Sequence, residues 1–300
     1  LQMHPQDMAH QGMQEGDLVY LTSARGSIVL PAQASAELAP AQAFMAMHWG
    51  GEYLGGSSST GVRLAGVNAL TNPAFCPQSK QPELKHTAVK ILRAELPWRL
   101  LGMAWLPERS ALQTRESLAA LMDAFPFASC VLFAEPTQAA PGTAPRTGVQ
   151  LRTAAHQAPP DSLLERIEAL LGLDGDTTLR YNDQRHGQRR AAQLQRGPGG
   201  STLRSVLLAG DTRAEAWISS LLQQDLPADA YGRQLLAPGA KPPAAAQAAG
   251  AAKGRQVCGC FNVRDTAITQ ALQGCTGSDS ERLSAVQSQL HCGTQCGSCL

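Results

Sequence analysis

Cysteine placement constrains this chain more than any other feature. Of its eight cysteines, Cys258, Cys260, Cys275, Cys292, Cys296 and Cys299 crowd into the last 43 of 300 residues, while Cys76 and Cys130 stand alone. Evenly spread pairs would point to a disulfide framework; a terminal cluster points to a metal site. The segment opens VCGCFNVRDTAITQALQGC and closes LHCGTQCGSCL. Cys258 and Cys260 flank one glycine, Cys296 and Cys299 flank Gly297-Ser298, and 35 residues separate Cys260 from Cys296. Between the pairs, Val263 to Leu272 and Glu281 to Leu290 have helical apolar spacing, with Asp265 available for a first turn. Two such helices would bring the thiol pairs together. Gly259, Gly293 and Gly297 carry no Cβ, so backbone N–H groups can approach sulfur and stabilise thiolate charge. Four thiolates suit zinc or an iron–sulfur cluster equally in number, although zinc ligand pairs usually stand two to four residues apart.

Composition excludes other classes. Hydrophobic residues make up 43%, enough for real cores, and the length suggests two or three domains. A net charge of +1 argues against a basic nucleic-acid binder and against an acidic disordered tail. No stretch approaches the ~20 apolar residues of a membrane span; the most apolar run, Leu96 to Leu106, is broken by Pro97 and Arg99. The chain begins at Leu1, and LQMHPQDMAHQGMQEGD has no charged-then-apolar signal pattern, so a piece of a longer protein is expected.

Four regions are expected along the chain. Residues 1–95 read as mainly β. Asp17 to Thr22 and Ser27 to Leu30 flank a turn and predict a hairpin, and His86 to Leu92 predicts a closing strand. Glu37 to Met47 fits a short helix or a strand, and Gly50 to Gly61 is a Gly/Ser-rich loop. Residues 97–236 read as α+β. Strands are expected at Leu100–Leu106, Cys130–Ala134, Thr177–Tyr181, Arg189–Gln195 and Leu203–Ala209. Helices are expected at Arg115–Phe125, at Ser162–Leu171 with Gly172 as its stop, and after Asp211, read as the N-cap of a helix carrying Trp217, Ile218, Leu221 and Leu222. Pro136 to Pro145 is a loop. Residues 237–256 have no acidic and no large apolar residue and form a linker, about 25 Å in root-mean-square span if flexible. Residues 257–300 are the cysteine module.

The motifs resemble known families. C-x-C-F-N-V and G-T-Q-C-G-S-C, over Val257 to Leu300, resemble the [2Fe-2S]-binding module of bacterioferritin-associated ferredoxin, which also ends some nitrite and nitrate reductases. The resemblance implies Cys258, Cys260, Cys296 and Cys299 as ligands and leaves Cys275 and Cys292 as spare thiols. The family continues past its last cysteine with another helix, so weak retention of the cluster is expected of a chain ending at Leu300. HPQDMAHQGMQEGDLVYLTSARGSIVLP, MHWGG, GVNALT and SKQPELKHTAVKI occur in that order over residues 1–93 and resemble the molybdopterin-dinucleotide-binding domain of molybdenum reductases. That family implies a double-psi β-barrel, here entered part-way, and cofactor contacts at Trp49, Asn68 and Lys85, with His48 a further candidate. A bis-guanine-dinucleotide cofactor needs amide and ammonium donors and flat apolar faces, which these residue types supply.

Taken together the motifs most resemble bacterial assimilatory nitrate reductase catalytic subunits. YNDQRHGQRRAAQLQ and LRSVLLAGDTRAEAWISSLL are similar to the small α+β domain that precedes the cluster module there. The implied fold class is multi-domain α+β: a partial double-psi β-barrel, a small α+β domain and a small helical [2Fe-2S] module. The implied activity is reduction of nitrate to nitrite in the cytoplasm. The implied cofactors are the [2Fe-2S] cluster and molybdenum bis(molybdopterin guanine dinucleotide), with a [4Fe-4S] cluster and the catalytic centre upstream. The implied electron donor is a flavin-containing NADH reductase subunit, ferredoxin or flavodoxin. No catalytic residue is assigned, and neither nucleic acid nor membrane is expected as a partner. The run Arg180, Arg185, Arg189, Arg190 and Arg196 reads as a solvated face or as a docking patch for an acidic redox partner. Two other functions fit the same residues: a non-catalytic cluster-binding regulatory module, and a molybdenum oxidoreductase for another substrate such as formate.

Overall fold

The computed structural model describes residues 1–46, 49–57, 62, 66–82, 86–133, 146–197, 200–239, 256–258, 263–294 and 299. The architecture is mixed α+β with several sheets. The N-terminal region holds β1 (Gln2–Met3), α1 (Pro5–His10), β2 (Leu18–Ser23), β3 (Gly26–Pro31), β4 (Gln33–Ala34), β5 (Ala43–Phe44), β6 (Leu54–Gly55) and β7 (Lys90–Arg93). The hairpin read from the sequence forms: Tyr20 faces Val29 and Leu21 faces Ile28 across β2 and β3. The closing strand also forms, shifted to β7, and pairs antiparallel with β2. Of Glu37 to Met47, only the two residues of β5 become strand among those described, paired to β1. Leu18, Leu21, Ile28, Leu30, Leu54 and Leu70 bury into one core with Phe127 and Ala154 from the next region.

The middle region is built on β8 (Trp98–Pro107), α2 (Glu108–Ala119), β9 (Phe127–Phe133), β10 (Arg146–Ala155), α3 (Asp161–Leu170), β11 (Leu179–Asp183), β12 (Gln188–Gly197), β13 (Gly200–Ala209) and α4 (Glu215–Gln223). One antiparallel sheet runs β11-β12-β13-β8-β10-β9-β6, so a strand from the N-terminal region closes one edge. Side chains alternate across a strand, and β8 is apolar on both faces for that reason. Leu100 and Ala104 face a core shared with α2 and α3; Leu101, Met103 and Trp105 face a second core under α4.

Three sequence readings need correction here. The helix expected at Arg115–Phe125 begins earlier, at Glu108, and ends at Ala119, with a separate 3₁₀ turn at Met122–Ala124. Pro107 precedes the first helical residue, and a fixed φ there starts the helix as readily as a polar cap does. Asp211 does not cap α4: the N-cap is Ala214, with no side-chain hydrogen bond. Asp211 is instead held by Arg213. The strand β10 had no counterpart in the sequence reading, because its polar residues hide the alternation. Inside the sheet, Gln150 donates to the Met103 sulfur at 3.6 Å and Arg152 bonds to both Gln150 and Glu215. The loop at Pro136 to Pro145 lies outside the described residues, as does most of the linker.

The terminal module pairs β14 (Gln256–Cys258) with β15 (Val263–Arg264), followed by α5 (Asp265–Gln273) and α6 (Asp279–Leu290). Both expected helices form. Ser278 and Glu281 make a reciprocal capping box at the start of α6, a signal legible in the S-D-S-E order but absent from the sequence reading. Among the described residues no helix is long and apolar enough to cross a membrane.

Candidate functional site

Two places in the molecule carry chemistry. The first is on the N-terminal region, where three loops meet. The Val67 N–H donates to the Trp49 carbonyl at 3.2 Å, which ties the Trp49 loop to the 3₁₀ turn Val67–Leu70. The Thr87 hydroxyl donates to the Leu70 carbonyl at 3.5 Å and brings in the segment just after Lys85. Gly66 makes the close approach feasible. Its φ is +63°, and a Cβ there would stand 3.1 Å from the Gly51 nitrogen and 3.2 Å from the Trp49 oxygen. Sequence reading nominated Trp49, Asn68, Lys85 and His48. Trp49 is 42% exposed, with its ring edge-on to Tyr53, and Asn68 is exposed on the adjoining turn. Lys85 and His48 lie outside the described residues. An exposed indole and an exposed carboxamide on loops tied together by the Val67–Trp49 bond suit the flat, polar-edged chemistry of a pterin nucleotide.

Beside this junction is a cavity of ≈ 620 Å³ between the N-terminal region and the sheet. Leu18, Leu30, Phe44 and Trp49 line one wall; Arg99, Leu100, Arg152 and Glu215 line the other. The pairing of Arg152 with Glu215 at 2.6 Å leaves a mainly apolar space with a polar rim. No residue of this cavity other than Trp49 was singled out from the sequence; Arg99 and Arg152 sit on strands 53 positions apart, and only the sheet brings them together.

The second place is the terminal module. Cys258, 2% exposed, and Cys292, 7% exposed, share a small core with Val263, Ala271 and Val286, and Cys299 packs against it. Burial pushes the Cys299 thiol up, and its hydrogen bond to Cys258 and the charges of Cys258 and Cys292 add to the rise; the Gly293 N–H pulls the other way. Two of the four ligand candidates, one from each end of the module, are therefore in contact. Cys260 and Cys296 lie outside the described residues. Among the described residues no three His, Cys, Asp or Glu side chains surround one metal position. Soft thiols in an apolar surround are donor chemistry that an iron–sulfur group could use.

The remaining cysteines separate cleanly. Cys275, just past the end of α5, donates to the Ala271 carbonyl of that helix at 3.2 Å. Cys130 is fully buried, and burial pushes its thiol up to about 12, so it packs and does not react. Hydrogen bonds from the Ser79 side chain and backbone hold the solvated Cys76 thiol below its usual range.

The arginine run is not one face. Arg189 makes two bonds to the buried Glu168, at 2.6 and 2.9 Å, and Arg180 bonds to the Leu173 carbonyl on the same side of the sheet. Arg190 points to the opposite side and is fully buried, 3.0 Å from the Asp211 carbonyl and 3.4 Å from its carboxylate. Strand alternation splits neighbours in sequence between two layers. Asp211 also accepts from the Arg213 backbone and guanidinium, each at 3.0 Å, and from the Gly239 N–H at 2.9 Å. Chiefly through Arg213, its carboxyl is held at about 2.

The converging loops present an exposed indole and an exposed amide, and the terminal module brings buried thiols together. Comparison with known proteins bears on the first of these. Residues 1–88 match the family described as Molydopterin dinucleotide binding domain, so the expectation of such a segment holds there. A nitrate reductase of Synechocystis sp. is 45% identical over 69 residues, covering 23% of this chain and 8% of that protein. One from Symbiobacterium thermophilum is 38% identical over 95 residues, covering 31% of this chain and 11% of that protein. One from Klebsiella oxytoca is 25% identical over 313 aligned positions, covering 100% of this chain and 29% of that protein. The chain thus spans less than a third of the length of these relatives.

Proposed function

We propose that this chain forms part of a molybdenum-dependent assimilatory nitrate reductase. In this reading it holds one side of a molybdopterin guanine dinucleotide and relays electrons through a [2Fe-2S] cluster. The observation that carries the reading is the ordered match of residues 1–88 to a molybdopterin dinucleotide-binding domain, with nitrate reductase likeness extending over the whole chain.

When bound, the molybdenum group supplies oxygen-atom transfer from nitrate and the iron pair supplies one-electron carriage. The chain's own residues bind and orient. Trp49 offers a stacking face, Asn68 a paired donor and acceptor, and Lys85 a cation for carbonyl or phosphate oxygen. The N-terminal strands belong to a double-psi barrel. At the other end Cys258, Cys260, Cys296 and Cys299 ligate the cluster. That module passes electrons from its donor, a flavin-containing NADH reductase subunit, ferredoxin or flavodoxin, to the molybdenum side. The enzyme works in the cytoplasm.

Purified anaerobically, the chain is expected to carry about two iron and two acid-labile sulfide per molecule; stoichiometric zinc without sulfide would defeat the relay. With Lys85→Ala in the longer enzyme, molybdenum and pterin content is expected to fall. Unchanged content would remove Lys85 from the site.

A further inference from the structure

The loop that carries Trp49 is gripped by the middle region as well as by its own. The Tyr53 and Leu54 N–H groups both donate to the Gly50 carbonyl, at 3.0 and 3.1 Å, and close a turn. The Cys130 N–H of β9 donates to the Tyr53 carbonyl at 2.9 Å, and Leu54 and Gly55 of β6 pair with Ser129 and Ala128 of β9. Arg115 of α2 adds a side-chain grip. Its guanidinium lies 5.1 Å from the centre of the Tyr53 ring, and its Nη1 donates to the Glu52 carbonyl at 3.3 Å. The same ring meets Trp49 edge-on, at 6.5 Å between centres and 80° between planes. A line of contacts therefore starts on a helix of the middle region and ends at the exposed indole. Each link has a preferred geometry: a cation sits over the face of a ring, and two rings meet edge to face.

We propose that Arg115 is a positioning residue for the dinucleotide: by fixing the Tyr53 ring it fixes the Trp49 indole on which a flat heterocycle of the cofactor stacks. The proposal rests on the cofactor reading above and adds that the middle region completes the site. An indole already held in place loses little freedom when a ligand stacks on it, whereas a free one must be ordered at the expense of affinity.

The test uses the full chain. Trp98, Trp105 and Trp217 are buried and Trp49 is 42% exposed, so acrylamide quenching of indole fluorescence reports mainly on Trp49. The ligand probe is guanosine diphosphate, whose base shares its aminopyrimidinone ring with pterin, titrated by calorimetry. With Arg115→Met and Tyr53→Ala, quenching is expected to rise and affinity to fall about fivefold, the size of one ring contact. Tyr53→Phe keeps the ring and is expected to match wild type in both. If Arg115→Met loses the main melting transition, Tyr53→Ala, on an exposed loop residue, decides alone. Either readout unchanged from wild type in these variants would overturn the proposal while leaving the cofactor reading intact. A wild-type chain that does not bind guanosine diphosphate, or a Trp49→Ala chain that binds it as tightly, would overturn Trp49 as a cofactor contact and the proposal with it.

Discussion

The seven-stranded sheet and the terminal module solve the same problem with very different means. The sheet has two cores. Leu101, Met103, Val206, Leu207, Leu208, Ile167, Ile218 and Leu221 are each at most 1% exposed, and helices cover both faces. Among the described residues the module has one small core, of Cys258, Val263, Ala271, Val286 and Cys292. Each fully buried aliphatic side chain stabilises by about 1.5–3 kcal/mol. A handful of them cannot offset the ordering of some forty residues, and chains of about that size usually need a metal, disulfide or partner. The sheet is held by apolar burial; the described part of the module has little of it, and in the proposed function a cluster at the thiols supplies the difference.

Removing the sulfur site should therefore have the largest effect, and only locally. With Cys299→Ser, visible absorption is expected to vanish and the module to melt, while the main calorimetric transition of the sheet stays in place. With Cys292→Ser the absorption is expected to survive. Equal loss from both would show that the ligands were wrongly chosen. Leu101→Ala should do the reverse. It opens a cavity under α4 and is expected to cost about 2–5 kcal/mol in denaturant unfolding of the sheet, with the iron content unchanged.

Asp211→Asn sharpens the contrast further. It leaves the fully buried Arg190 without its counter-charge, and breaking such a pair costs about 3 kcal/mol. Because the folded carboxyl is held at about 2, below its unfolded value of 3.8, its stabilisation is present above about pH 4 and is lost as pH falls towards 2. Acid unfolding of the variant should lack that component; an unchanged profile would remove Asp211 from the ledger of the sheet. The smallest effect is expected from Ser278→Ala, which removes the capping box of α6 and should cost about 1 kcal/mol, seen as faster amide exchange in the first turn of that helix alone.

Local pattern made some of this visible in advance. The β2–β3 hairpin, α3 and both helices of the module follow from apolar period and stop signals, which act within one element. The thiol candidates were nominated because metal ligation uses few residue types at fixed spacing. The strand β10 was not legible, since the buried Gln150 is tolerable only through a partner on another strand and the exposed Arg152 interrupts the apolar run. The role of Asp211 was misread for the same reason. Three of its contacts come from Arg213 nearby, but those from Arg190 and Gly239 span 21 and 28 positions. The capping box could have been found by scanning for Ser-x-x-Glu before an apolar run.

By itself the sequence determined the α+β character, the tail of thiols and the order of the motifs that match a molybdopterin dinucleotide-binding domain. These depend on composition, on short periods and on residue types whose chemistry does not need a neighbour to be recognised. Only the tertiary structure decided which arginines are buried, that β6 closes the sheet of the next region, and that Cys258 and Cys292 share a core. Those outcomes depend on contacts between distant segments, where burial and charge pairing are set jointly by both partners and by neither alone.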